Sequence, residues 1–119
     1  MRFMYIVTSA HNGPPTPELL EAMHQLANRE IKAGRMLDNG GLMPLATSAQ
    51  VRIANGQLTV TDGPFVEAKE VIGGYAIFEL RDKDEALASA REFMQLHKDL
   101  MPGWEGICEV RAFAGFAGP

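Results

Sequence analysis

The 119-residue chain has one cysteine, Cys108. No internal disulfide can form, so the sequence gives no sign of an oxidising compartment, and a cytoplasmic location is the default expectation. Its apolar runs fall far short of the roughly 20 residues a membrane helix needs, so membrane binding has no support. Met1 to Val7 carries one charge and no small-residue cleavage site, and reads as a strand rather than a leader. There is no Lys/Arg stripe, and the net charge is −4, which excludes a phosphate-backbone binder such as a nucleic-acid protein. His11, His24 and His97 are widely spaced, with no H-x-x-x-H or C-x-x-C pattern, so neither a metal nor a cofactor is expected. The glycine pairs match no phosphate-loop or dinucleotide fingerprint. Low-complexity runs, repeats and linkers are also missing, so residues 1–119 read as a single domain.

What is present has the ordinary globular balance, 46% hydrophobic and 22% charged. A chain this long can bury one core without metal or disulfide staples. Residues 2–8 predict a strand with Phe3, Tyr5 and Val7 on one face and Met4 and Ile6 on the other. Both faces are apolar, so both must be covered. Thr16-Pro17 predicts a helix start and Gly34 its stop, with Leu19, Met23, Leu26 and Ala27 as the buried stripe. Arg35 to Asp38 reads as a short strand broken by Asn39-Gly40-Gly41. Asn55-Gly56 predicts a two-residue type I′ turn, which sets Ile53 opposite Leu58 and Val51 opposite Val60 on one hairpin face. Gly73-Gly74 is expected to open a strand from Tyr75 to Leu80, again apolar on both faces. Asp82 and Glu85 have capping-box spacing before a second helix with stripe Ala86, Leu87, Ala90, Phe93 and Met94. Ile107 to Phe113 is the last strand.

The order predicts an α+β fold, the ferredoxin-like βαββαβ pattern with an added β-hairpin. In that pattern both helices cover one sheet face. The doubly apolar strands then call for a partner on the other face, and a two-fold homodimer is the simplest solution.

The run Thr61-Asp62-Gly63-Pro64-Phe65-Val66-Glu67-Ala68-Lys69-Glu70-Val71-Ile72-Gly73-Gly74-Tyr75 closely resembles the signature of the YCII-related proteins, DGPF branch, roughly V-T-D-G-P-F-x-E-x-K-E-x-x-G-G-Y/F. Glu30 with Ala33-Gly34, Gly40-Gly41-Leu42 with Pro44, and Glu109-Val110-Arg111 resemble other family segments, so the resemblance spans nearly the whole chain. It implies a ferredoxin-like fold of the dimeric α/β-barrel type. It implies little about activity: most DGPF-branch proteins have none established, and some are associated with extracytoplasmic-function sigma factors. A smaller branch of the wider family is linked to a His–Asp acid–base pair, and one line of it to dehydrochlorination of a chlorinated aromatic. His24 lies near the corresponding helical position, but Met23 is the closer match when counted from Gly34, so the pair is not carried over.

Glu30 is the most informative single residue. It follows Met23, Leu26 and Ala27 at helical spacing, which puts a carboxylate in the apolar stripe. Such a group is either paired with a nearby N–H or Arg, or has a raised pKa and marks a functional site. Asp62 opens the Gly-Pro turn and can hold that turn, line a pocket, or both. Glu67, Lys69 and Glu70 form a charge cluster that is either a solvated loop or a pocket wall. Trp104 can cap a pocket or pack at an interface. His97 falls on the stripe of its helix, where a core or helix-end role is favoured, and antiparallel helices keep it from pairing with Glu30. Cys108 alternates with Val110 and Ala112 as a buried, inert thiol.

The leading expectation is a homodimer binding an unidentified small molecule, with carboxylate acid–base chemistry in reach. Its cleft would be lined by Glu30, Asp62, Glu67, Lys69, Glu70 and Trp104. The rivals are a non-enzymatic interaction module, for example in a sigma-factor-linked pathway, and a purely structural homodimer.

Overall fold

The computed structural model describes residues 1–10, 13–64 and 70–115. Its elements are β1 (Arg2–Ser9), α1 (Pro17–Lys32), β2 (Met36–Gly41), a single 3-10 turn (Leu45–Thr47), β3 (Ala49–Ala54), β4 (Gln57–Asp62), β5 (Val71–Glu79), α2 (Lys83–Leu100) and β6 (Gly106–Ala112). β1 sits inside an antiparallel sheet of order β2-β5-β1-β6, and β3-β4 form a separate two-stranded ribbon. With the ribbon set aside, this is the ferredoxin-like α+β arrangement predicted from the element order.

Alternation along β1 sorts the two sheet faces. Phe3 and Tyr5 are buried, and they stand level with Phe78 and Ala76 on β5 and with Ala112 and Val110 on β6. Ala86 and Ala90 of α2 close over them, with Leu80 alongside and Met36, Ala76, Cys108 and Val110 at the margin. Tyr5 and Phe78 stack with ring centroids 4.6 Å apart, and the buried Tyr5 hydroxyl donates to the Ala86 carbonyl at 2.8 Å. The small α2 residues at this face let the helix backbone approach the aromatic layer closely. Met4, Ile6, Tyr75 and Ile77 lie on the opposite, open face and are half-buried.

Local chemistry fixes both helices. Thr16 accepts from the Leu19 N–H at 3.2 Å as the α1 cap, and Pro17 takes the first helical position. The same Thr16 hydroxyl donates to the Leu100 carbonyl at 2.8 Å, pinning the start of α1 to the end of α2, so the helices run antiparallel. At the other end of α1, Gly34 takes φ 77°, its N–H bonds the Ile31 carbonyl, and the Arg35 N–H bonds the Glu30 carbonyl. That double bond pattern is a Schellman stop, and it needs a residue comfortable at positive φ. Asp82 caps α2 by accepting from the Glu85 N–H at 2.9 Å. The Glu85 carboxylate reaches back to the Arg81 N–H, one residue before the cap, rather than to Asp82 itself.

Three sequence expectations need correction. β2 runs from Met36 through Gly41, so Asn39-Gly40-Gly41 continue the strand instead of breaking it. β5 begins at Val71 and carries Gly73-Gly74 within it. In both cases ladder pairing with a neighbouring strand outweighs the weak intrinsic strand preference of glycine. Leu87 is 42% exposed, because α2 presents only the narrow Ala86–Ala90–His97 line to the core.

The hairpin register is as the turn predicts: Ile53 faces Leu58 and Val51 faces Val60. Asn55 and Gly56 both take positive φ, 53° and 74°, as a type I′ turn requires. The ribbon's apolar face is bare, however, with Val51, Ile53, Leu58 and Val60 exposed by 65%, 76%, 67% and 69%. The Cα radius of gyration is 16.2 Å, against about 13.5 Å for a compact domain of this length, as expected of an arm that stands off the body.

Candidate functional site

Glu30 is only 4% exposed, as its place in the apolar stripe predicts. It is paired. Arg35 donates from Nε to Oε1 at 3.0 Å and from a terminal nitrogen to Oε2 at 2.6 Å, a two-point grip, and Arg29 Nε adds a bond to Oε2 at 3.1 Å. The Arg35 guanidinium, followed by Arg29, outweighs burial and holds the Glu30 carboxyl below its ordinary range. Arg29 in turn clamps Glu92 of α2 through both terminal nitrogens, at 2.8 and 2.6 Å. The chain Arg35–Glu30–Arg29–Glu92 therefore ties the exit of α1 to the strand that follows and to α2. An ionised carboxylate so engaged does not offer a proton near neutral pH. A niche of about 280 Å³ opens beside it, lined by Leu80, Glu85, Ala88 and Ser89 along with the charged chain.

Glu30 and His97 make no contact. His97 lies at the far end of α2, 6% exposed, with Nδ1 3.1 Å from the Phe93 carbonyl oxygen. The carbonyl requires Nδ1 to carry the proton. Burial lowers the His97 pKa, so the ring is neutral at physiological pH. Its ring stands 4.6 Å from both Phe93 and Trp104, measured between centroids. Burial pushes the Cys108 thiol up to about 11, which leaves it protonated and unreactive at neutral pH.

Trp104 forms the end wall of the larger concavity, an open groove of about 1080 Å³ along α2. Its indole lies directly over Gly106, where any Cβ would collide with the ring, and His97 backs it from the helix side. The ring is thereby fixed between two rigid elements. Met94 and Met101 give the groove an apolar floor, and Arg91, Gln95 and Lys98 give it a polar rim. Neither Arg91 nor Lys98 forms an ion pair among the described residues. The groove shares Ala88 and Glu92 with the Glu30 niche, so the two concavities adjoin along α2.

Of the six residues singled out from sequence, the four described ones, Glu30, Asp62, Glu70 and Trp104, do not converge on one cleft. Glu70 immediately precedes β5, whereas Arg35, the partner of Glu30, accepts from the Glu79 N–H at the far end of that strand. Nine strand residues separate the two levels, roughly 27 Å. Trp104 belongs to the Glu70 end: the Ser9 hydroxyl donates to the Glu105 carbonyl, and Ser9 pairs with Val71. Asp62 is exposed at the base of the arm. Glu67 and Lys69 lie outside the described residues. The glycine of the Asp62-Gly63-Pro64 turn has a packing explanation: the Leu45 carbonyl oxygen occupies the place of a Cβ, and the Gly63 N–H bonds the Ser48 carbonyl at 2.7 Å. Sequence reasoning missed Arg91, Lys98 and the two methionines, which look like ordinary helix residues until the loop carrying Trp104 folds back beside them. It also missed Arg29 and Arg35 as the partners of Glu30, although Arg35 follows by five residues and both are cations at a helix end.

An antiparallel ferredoxin-like sheet, two capped helices on one face and an accessory ribbon define an α+β class that hosts many unrelated activities. Among known families, a YCII-related domain matches residues 1–100. The chain belongs to the YCII-related family. It is 30% identical over 108 residues to an uncharacterised protein of Rhizobium meliloti (strain 1021), covering 91% of this chain and 83% of that one.

Proposed function

We propose that the chain is a small-molecule-binding protein of the DGPF branch, whose ligand site is the groove between α2 and Trp104. One observation carries the reading. A single indole, fixed by Gly106 and His97, walls an amphipathic groove whose two cations are uncommitted among the described residues. Contact with the indole, apolar contact with Met94 and Met101, and charge attraction from Arg91 and Lys98 suit an aromatic or apolar organic anion. Binding is favoured over carboxylate acid–base catalysis because Glu30 is held ionised by two arginines and Cys108 is held protonated.

Trp104 is the only tryptophan, so selectively excited tryptophan fluorescence reports this groove alone. Titration with 8-anilinonaphthalene-1-sulfonate, an aromatic anion, is expected to quench Trp104 by energy transfer. The double variant Arg91→Ala/Lys98→Ala should weaken that binding about tenfold or more. Equal binding by wild type and double variant would remove the groove from consideration.

The same reading has the protein act as a homodimer through the open sheet face. Met4, Ile6, Tyr75 and Ile77 form an apolar floor there. Two polar contacts lie on the same face, Tyr75 hydroxyl to Asp38 at 3.1 Å and Arg111 to Glu109 at 3.7 Å. An apolar floor on this side of a sheet is otherwise left to water. The second reading, an interaction module, is favoured by the bare apolar ribbon.

A further inference from the structure

We infer that the β3–β4 ribbon is a dimerisation arm: it lies against a second copy of this chain and buries its Val51–Ile53–Leu58–Val60 face there. The inference rests on the homodimer reading given above.

The ribbon is built to present that face. Its turn residues fix the register, and the register puts all four large apolar side chains on one side. Gln50, Arg52, Gln57, Thr59 and Thr61 fall on the other. Every one of the four is about two-thirds exposed or more. An isolated two-stranded hairpin is marginal in water, so a ribbon with such complete alternation is specified for a surface that completes it. Among the described residues its own chain does not supply one: the body's helix-side face is already filled by α1 and α2.

Dimensions point to a second copy as the occupant. Four strands spaced ~4.8 Å apart and ~20 Å long give the open sheet face a footprint of about 400 Å². A stable interface needs about 800 Å² from each partner, so the sheet face alone supplies half. The ribbon's two six-residue strands give about 200 Å² more. In a two-fold dimer each copy both gives an arm and receives one, so the arm counts twice, and about 400 Å² is added per copy. The sum reaches the usual size. Leu42 and Met43, 53% and 73% exposed between β2 and the arm, extend the apolar surface that a reciprocal arm would meet.

The test is sedimentation velocity over a concentration series, on wild type, an arm variant and a sheet variant. The arm variant is Ile53→Glu/Leu58→Lys, an opposite-charge cross-strand pair at positions exposed in the single chain, so far-UV circular dichroism should be unchanged. Its dimer dissociation constant is expected to rise about 100-fold. The sheet variant is Ile6→Glu. If Ile6→Glu dissociates the dimer while the arm variant dimerises like wild type, the arm inference is overturned and the sheet reading stands. If the arm variant dissociates and Ile6→Glu does not, the arm inference stands and the sheet reading falls. A wild type that is monomeric up to millimolar concentration overturns both.

Discussion

β1 and the β3–β4 ribbon obey the same two-residue alternation, yet they end in opposite surroundings. Phe3 and Tyr5 of β1 are 2% and 3% exposed beneath α2, whereas Ile53 and Leu58 of the ribbon are 76% and 67% exposed. Alternation thus specifies that a face is to be covered and says nothing about what covers it. In β1 the cover comes from the same chain, because α2, which follows the neighbouring strand β5, crosses back over the sheet. Among the described residues the ribbon has no helix of its own. The contrast extends to polar groups. Charges of the body form a connected chain through Glu30, while the ribbon's one cation, Arg52, forms no ion pair among the described residues.

The sharpest test of that contrast is paired truncation. Phe78→Ala removes a ring stacked on Tyr5 in the closed layer, and should cost about 3–5 kcal/mol in denaturant unfolding. Ile53→Ala should change the stability of the dilute protein by less than about 0.5 kcal/mol. Equal losses would mean the ribbon is packed into the body after all.

Next in size is Glu30→Ala, which leaves two arginines without their buried partner. Both are about half exposed and regain water, so the expected loss is about 2–3 kcal/mol rather than the larger value for a fully buried pair. The loss should be read by urea unfolding. Anilinonaphthalene-sulfonate binding should be unchanged in the folded protein, since Glu30 is not a wall of the Trp104 groove.

A smaller effect is the pH dependence of the same site. The folded Glu30 carboxyl is held below its ordinary value of 4.5 by Arg35 and Arg29, so the folded state binds fewer protons than the unfolded state in that range. The stabilisation is therefore fully present above about pH 4.5 and declines as pH falls through the lower folded value. The stability difference between wild type and Glu30→Gln should shrink over that acid window. A difference independent of pH would place the worth of Glu30 in packing instead of charge. His97 adds a slope of the same sign at milder acidity. Burial depresses its pKa from 6.5, so the stability it allows is complete above that value and falls as the unfolded chain takes up the proton.

Local signals were legible wherever one residue type has one mechanical use. Thr16-Pro17, Gly34, Asn55-Gly56 and Asp82 each end or turn an element where the sequence places them. The burial of Glu30 was legible too, because helical period alone puts it between apolar neighbours. The glycines at 40–41 and 73–74 misled, since strand pairing across β2 and β5 overrides their flexibility. The groove was not legible. Arg91 and Lys98 become rim residues only when the segment carrying Trp104 folds back beside α2, and Arg29 meets Glu92 across 63 positions of chain. Periodicity reports which face of an element is apolar; it carries no information about which distant loop borders it.

Hydrogen–deuterium exchange of the wild-type protein, above and below the dissociation concentration of the proposed dimer, tests the ribbon most directly. The account predicts that amides 49–62 exchange slowly at high concentration and fast on dilution, while those of β1 and β5 remain protected throughout. Identical exchange of the ribbon at both concentrations, with the dimer present in one and absent in the other, would contradict it.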